Sequence, residues 1–262
     1  MKHIRLISTI ISLVISMSLL SSCDSIPKNK VFSINDLSGK TIGVQFGTVG
    51  DAYASDIADA TVERYNKGAD AVMELKQGKL DAVLIDIEPA KVFVQNNKDL
   101  IILEETFAVE EYAIAIKKGN TELTDKINSA LNELASDGTL DLIKSNWIGD
   151  DAGKSPYVSP EGLERKNGTL TMATNAEFPP YESMMGEDII GLDVDMMRAV
   201  CDRLDMQLDI VNMEFDSILP SVDSGAVDVG VAGMTITADR QQIVDFSDSY
   251  TTATQVIIVR ND

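Results

Sequence analysis

The sequence predicts an α/β protein of two similar lobes, and three observations point there. Short apolar runs alternate with helical stretches over residues 41–147. A polar stretch rich in Gly and Pro breaks the rhythm at 150–168, and a second alternating series follows it. Alternation with short joints is the pattern of a mainly parallel sheet covered by helices on both faces.

In the first series, residues 41–46 read as a buried strand running into a Gly-containing turn, with a helix over 51–60. Residues 65–68 form a polar turn, after which Ala71, Val72 and Leu75 give a short helical face that stops near Gly78. A second strand is expected at 81–86, a helix with an early proline at 89–95, a third strand at 100–103 and a fourth at 112–116. Helices over 123–135 and 140–147 close the series. The second series reads as a strand at 169–174, a helix at 191–204, a strand at 208–213, a helix at 215–222, a strand at 227–231, a helix at 238–244 and a last strand at 255–259.

The chain begins with a targeting pattern. Lys2, His3 and Arg5 precede an apolar run over 6–20, at about 15 residues short for a stable span. Leu20-Ser21-Ser22-Cys23 resembles a bacterial lipoprotein processing box. That resemblance implies a signal peptide over 1–22, cleavage before Cys23, lipid on the Cys23 sulfur and the new amino group, and a polar tether over 23–30. The expected place is the outer face of the cytoplasmic membrane, with the lipid as anchor.

The full chain carries 22 Lys and Arg against 42 Asp and Glu, a formal charge of -20. Loss of residues 1–22 removes Lys2 and Arg5 and no acid, so the processed chain stands at -22. Such a surface repels nucleic acid and anionic membrane. His3 is the sole histidine and leaves with the leader, which removes histidine-based acid-base or metal chemistry. The thiol left after Cys23 is Cys201, on the apolar face of a helix, and it reads as a core residue. No Ser-His-Asp or Cys-His set, metal-ligand cluster or glycine fingerprint appears, so an enzyme is disfavoured and no cofactor is expected.

Residues 230–248 place a strand end, two hydroxyls and an arginine at the start of a helix, an arrangement that can clamp a small carboxylate. Residues 39–51 look like the opposite jaw. Taken with Thr174-Asn175-Ala176-Glu177-Phe178-Pro179-Pro180-Tyr181-Glu182 and Gly191-Leu192-Asp193-Val194-Asp195, residues 41–147 and 169–260 resemble the polar amino-acid solute-binding proteins of ABC importers. The resemblance implies a type II periplasmic-binding-protein clamshell, α/β and two-lobed, that binds a free amino acid for a membrane permease. A monomer is expected. A lipoprotein sensor signalling to a membrane receptor would share the same pocket.

Relative to that family the order is inverted, as in a circular permutation. Lobe 2 is expected at 31–111 plus 255–262, and lobe 1 at 115–150 plus 168–251. Residues 151–167 would then link the family's usual termini, with hinges near 111–114 and 251–254. A partial product of a tandem fusion is the rival account of the order.

The resemblance also assigns roles. Arg240 would take the ligand carboxylate through its planar fork, with Thr235 beside it, and the Gly233 carbonyl would take the ammonium. On the other jaw, N–H groups near Thr48 and Val49, with the Thr48 hydroxyl, would meet the same carboxylate, and Asp86 the ammonium. A plain tight turn, and a helix-capping Asp86, are the structural alternatives. Phe178 and Phe215 would flank the side chain, with Tyr181 supporting the loop. Asp193 either orders a loop, caps a helix or faces an amino group, and Glu182 is a weaker candidate. Asn175 and Gln45 are uncharged, which mildly favours a polar uncharged amino acid while leaving a cationic one open.

Overall fold

A computed structural model describes residues 26–149 and 153–261. The leader, Cys23 and residues 150–152 of the linker lie outside the described residues. A 3-10 turn at Ile34–Leu37 leads into β1 (Thr41–Gln45), α1 (Val49–Ser55), β2 (Thr61–Tyr65), α2 (Gly68–Lys76), β3 (Ala82–Asp86), α3 (Ile87–Gln95), β4 (Leu100–Ile102) and β5 (Ala108–Tyr112). Then come β6 (Ala115–Lys117), α4 (Thr121–Ser136), α5 (Thr139–Trp147), β7 (Thr169–Thr174), β8 (Glu177–Phe178), β9 (Glu182–Met185), β10 (Asp188–Ile190) and α6 (Leu192–Arg203). The chain closes with β11 (Gln207–Asn212), α7 (Phe215–Ser224), β12 (Val229–Gly230), α8 (Arg240–Ile243), β13 (Val244–Phe246) and β14 (Thr251–Arg260).

These strands form two principal mixed sheets. One runs β2-β1-β3-β14-β4, with β5 also paired to β14. The other runs β11-β7-β12-β6-β13, and β8 to β10 make a small antiparallel sheet. Within the first, β1 is parallel to β2 and β3, while β14 runs antiparallel to β3, β4 and β5.

The apolar runs of β3 and β14 are buried on both faces, which explains their lack of polar alternation. Leu84, Ile257 and Val259 pack with Val31, Leu37, Ile42 and Ala54 on one face. Their neighbours Val83, Ile85, Val256 and Ile258 pack with Ala71, Val72 and Leu75 on the other. Successive side chains of a strand point to opposite faces, so one continuous run serves two helical layers. In the second sheet's lobe, α4 and α5 pack on α6 through Ile127, Leu131, Leu134, Ile143 and Trp147 against Met196, Met197 and Val200. Cys201 is buried in that layer, and desolvation pushes its thiol up to about 12.

Several elements differ from the expected ones. Residues 112–116 are two strands rather than one: β5 ends at Tyr112 in the first sheet, and β6 begins at Ala115 in the second. The chain changes sheet there, so a single apolar run spans a passage. It returns between β13 and β14, where the Tyr250 N–H donates to the Tyr112 carbonyl at 3.0 Å and sets the two passages side by side. Residues 251–254 already pair with β5, which puts the return a few residues earlier than the sequence indicates. Strand β2 was hidden because it is an edge strand with charged, largely exposed residues.

Candidate functional site

Separate stretches of chain from both sheets converge on one cavity. From the first sheet come Gln45 at the end of β1, Thr48 and Val49 at the start of α1, Asp86 at the end of β3, and Gln255. Facing them are Asn175, Phe178, Phe215, Ala232, Gly233, Thr235 and Arg240.

Gly47, at a φ of +76°, turns the chain from β1 into α1. Thr48 then caps the helix: its hydroxyl accepts from the Asp51 N–H at 3.3 Å and donates to the Gln45 carbonyl at 2.8 Å. That corrects the expectation of a free hydroxyl for a ligand, because its one proton is committed to the turn. The first N–H groups of α1 beside Val49 lack partners within the helix and keep a partial positive charge.

Asp86 sits at the N-cap position of α3, yet its side chain makes no capping bond. It accepts instead from the Tyr112 hydroxyl. Antiparallel pairing sets Gln255 opposite Asp86 across β3 and β14. Burial first, and the charge of Glu110 second, push the Asp86 carboxyl up to about 7, against hydrogen bonds from Tyr112 and Gln255.

Arg240 begins α8, its N–H held by the Thr237 hydroxyl at 3.2 Å. Its guanidinium donates to the carbonyls of Thr235 at 2.8 Å and Gly47 at 3.2 Å, and lies 5.5 Å from the centre of the Phe215 ring. Among the described residues no carboxylate forms a salt bridge with it. Desolvation lowers it to about 10, with Glu110, Tyr112 and Asp86 acting in the other direction. A half-buried arginine that forms no salt bridge among the described residues offers its charge to an anion.

The two sides touch through side chains at the cavity. Gln45 Nε2 donates to Asn175 Oδ1 at 2.9 Å, and Asn175 Nδ2 donates to the Met213 carbonyl at 2.9 Å. Lys67 and Glu177 pair nearby at 2.6 Å. Gly233 stands at a φ of +53°, and a Cβ there would come within 2.9 Å of Phe178 and 3.0 Å of Tyr112. Glycine is therefore required by both conformation and space.

Asp193 does not line the cavity. It lies fully buried behind Gly233, where Oδ2 accepts from the Gly233 N–H and the Tyr250 hydroxyl, each at 2.9 Å. Of the readings open for this residue, the geometry matches ordering a loop. Desolvation raises it to about 6. Glu182 is equally buried, and desolvation, then the charge of Asp193, raises it well above the usual carboxylate range. Tyr181 stacks on Phe178 with ring centres 5.6 Å apart.

Gln255, Ala232 and, one layer back, Glu110 were missed. Gln255 carried a signal, since it opens the apolar run Gln-Val-Ile-Ile-Val and a buried amide there calls for a reason. Glu110 carried none within Ala-Val-Glu-Glu-Tyr, where Glu111 beside it is exposed.

The family model for bacterial extracellular solute-binding proteins, family 3, matches residues 28–150 and 170–262. The arginine-binding extracellular protein ArtP of Bacillus subtilis (strain 168) is 35% identical over 104 residues, 40% of this chain and 41% of that protein. A probable histidine-binding protein of Neisseria gonorrhoeae is 39% identical over 112 residues, 42% of this chain and 39% of that one. The aligned part thus spans about two fifths of these relatives' length. The arginine-bound form of domain 1 from TmArgBP is 36% identical over 36% of this chain and 82% of that one, with a TM-score of 0.31. Matched on both sides of the linker, the chain belongs to the bacterial extracellular solute-binding proteins, family 3.

Proposed function

We propose that this protein binds a free amino acid outside the cytoplasm and delivers it to the membrane permease of an ABC importer. The observation that carries the reading is the pairing, in one cavity, of an arginine without a salt bridge and a buried aspartate. A zwitterion supplies a carboxylate for the one and an ammonium for the other. In this reading Arg240 and the first N–H groups of α1 hold the carboxylate, and Asp86 with the Gly233 carbonyl holds the ammonium. Phe178 and Phe215 flank the side chain, with Gln45 and Asn175 at its polar end. Because these groups come from both sheets, the closed state alone makes every bond, and ligand binding favours closure. The relatives' names, which include arginine-, histidine- and glutamine-binding proteins, support an amino acid as ligand.

The processed chain is a monomer anchored through lipid on Cys23, with a permuted order in which the sheet holding β14 is lobe 2. Two facts support the permutation. Strand β14, at the far end of the chain, lies between β3 and β4. The alignments to full-length relatives also stop near two fifths of either partner, as they must when order-preserving matching can follow one block alone.

Isothermal titration of the full chain against each of the twenty L-amino acids tests the function. Saturable binding of one or a few is expected, and heat from none of them rejects the reading. Small-angle scattering on the same samples should show a compact monomer that contracts slightly with the bound amino acid; obligatory pairing of chains would instead point to a split fusion product.

A further inference from the structure

Glu110 lies on β5, at the edge of the passage between the sheets, and is 5% exposed. Its Oε2 accepts from the Thr235 hydroxyl at 2.7 Å, and Oε1 is buried without a hydrogen-bond partner. Gln255 reaches the same Oε2 through Nε2 at 3.5 Å, and its own Oε1 is likewise buried and unpartnered. Thr235 and Gln255 both line the cavity, whereas Glu110 stands behind them. A carboxylate only accepts, so the bond to Glu110 commits the one hydroxyl hydrogen of Thr235. What Thr235 Oγ1 retains toward the cavity is lone pairs.

We infer that Glu110 is a positioning residue that turns the Thr235 hydroxyl into a dedicated acceptor for the ligand's ammonium. The inference rests on the amino-acid reading of the cavity and reassigns Thr235 from the carboxylate end to the ammonium end. Thr235 then joins Asp86 as an acceptor for a tetrahedral donor group. The carboxylate of the ligand stays with Arg240 and the N-terminus of α1. A hydroxyl free to rotate would serve either end equally; the fixed one discriminates against a ligand bound in reverse. Glu110 also places a negative charge near Arg240 and Asp86, where both respond to it.

A double-mutant cycle tests this, read by titration with whichever of the twenty L-amino acids the wild-type full chain binds most tightly. Glu110→Gln keeps the shape but can turn an amide N–H toward Thr235, so affinity should fall by about tenfold. In a Thr235→Val background the same change should cost less than about twofold, because the hydroxyl it acts through is gone. Thr235→Ser should bind within about threefold of wild type, since it restores the hydroxyl. A residue that merely supports the fold would give the same loss in both backgrounds, and that result overturns the inference while leaving the amino-acid reading intact. Should Glu110→Gln fail to fold, equal affinities for Thr235→Val and Thr235→Ser would overturn it instead. Wild-type protein that binds none of the twenty overturns both.

Discussion

Two buried acid pairs, Asp86 with Glu110 and Glu182 with Asp193, differ in what they face. Asp86 opens onto the cavity beside Arg240, and its pKa of about 7 lets it ionise when a cation arrives. Glu182 does not line that cavity, and burial, then the charge of Asp193, raises its carboxyl well above the usual carboxylate range. Burial raises both carboxyls, so a raised pKa alone does not mark a binding group. What separates them is access to a space a ligand can fill.

The comparison predicts different consequences for two alanine substitutions. Glu182→Ala leaves a hole among fully buried neighbours and should lower the unfolding free energy by about 3 kcal/mol, whereas Asp86→Ala opens onto the cavity, where water can reach the Tyr112 hydroxyl it leaves behind, and should lower it by less. Chemical denaturation of both variants measures this. A reversal of the order would remove the distinction between the pairs.

Next in size is Arg240→Ala. Loss of a charged fork from a buried carboxylate should weaken amino-acid binding by at least roughly tenfold. Titration that finds affinity within about twofold of wild type would reject Arg240 as the clamp.

The smallest effect sharpens the comparison through pH. A ligand ammonium favours ionised Asp86, so its pKa in the complex falls below the ligand-free value of about 7. Binding then releases a proton below pH 7, and affinity should decline as pH falls, by up to about tenfold per unit, with a plateau above 7. Asp86→Asn should flatten this profile. A Glu182→Gln variant should keep it, because Glu182 does not line the cavity and meets no ligand group.

Much of the architecture was legible along the chain. The apolar runs of β1, β3 and β14 are strands because their residues are buried on both faces, and α4 and α5 show an apolar stripe at helical spacing. Edge strands escaped notice. β2, at Thr61–Tyr65, pairs on one side and exposes most of its side chains, so nothing in its pattern separates it from a polar turn. Residues 112–116 misled for the opposite reason, since apolar continuity hides a change of sheet.

Sequence alone determined the α/β class, the break near 150–168 and the residue types able to meet a zwitterion, because these follow from periodicity and side-chain chemistry. Which of those groups share a space was decided by tertiary structure. Asp86 and Asp193 look alike in sequence, each a carboxylate at a helix start, yet one borders the cavity and the other holds the Gly233 N–H behind it. Thr48 and Thr235 are both hydroxyls at cavity-lining turns, and each has one hydrogen, directed by partners far apart in kind: a carbonyl three residues away and a carboxylate on another strand. Local pattern specifies what an atom can donate or accept; only long-range pairing, such as β14 against β3 and β5, specifies what stands opposite it.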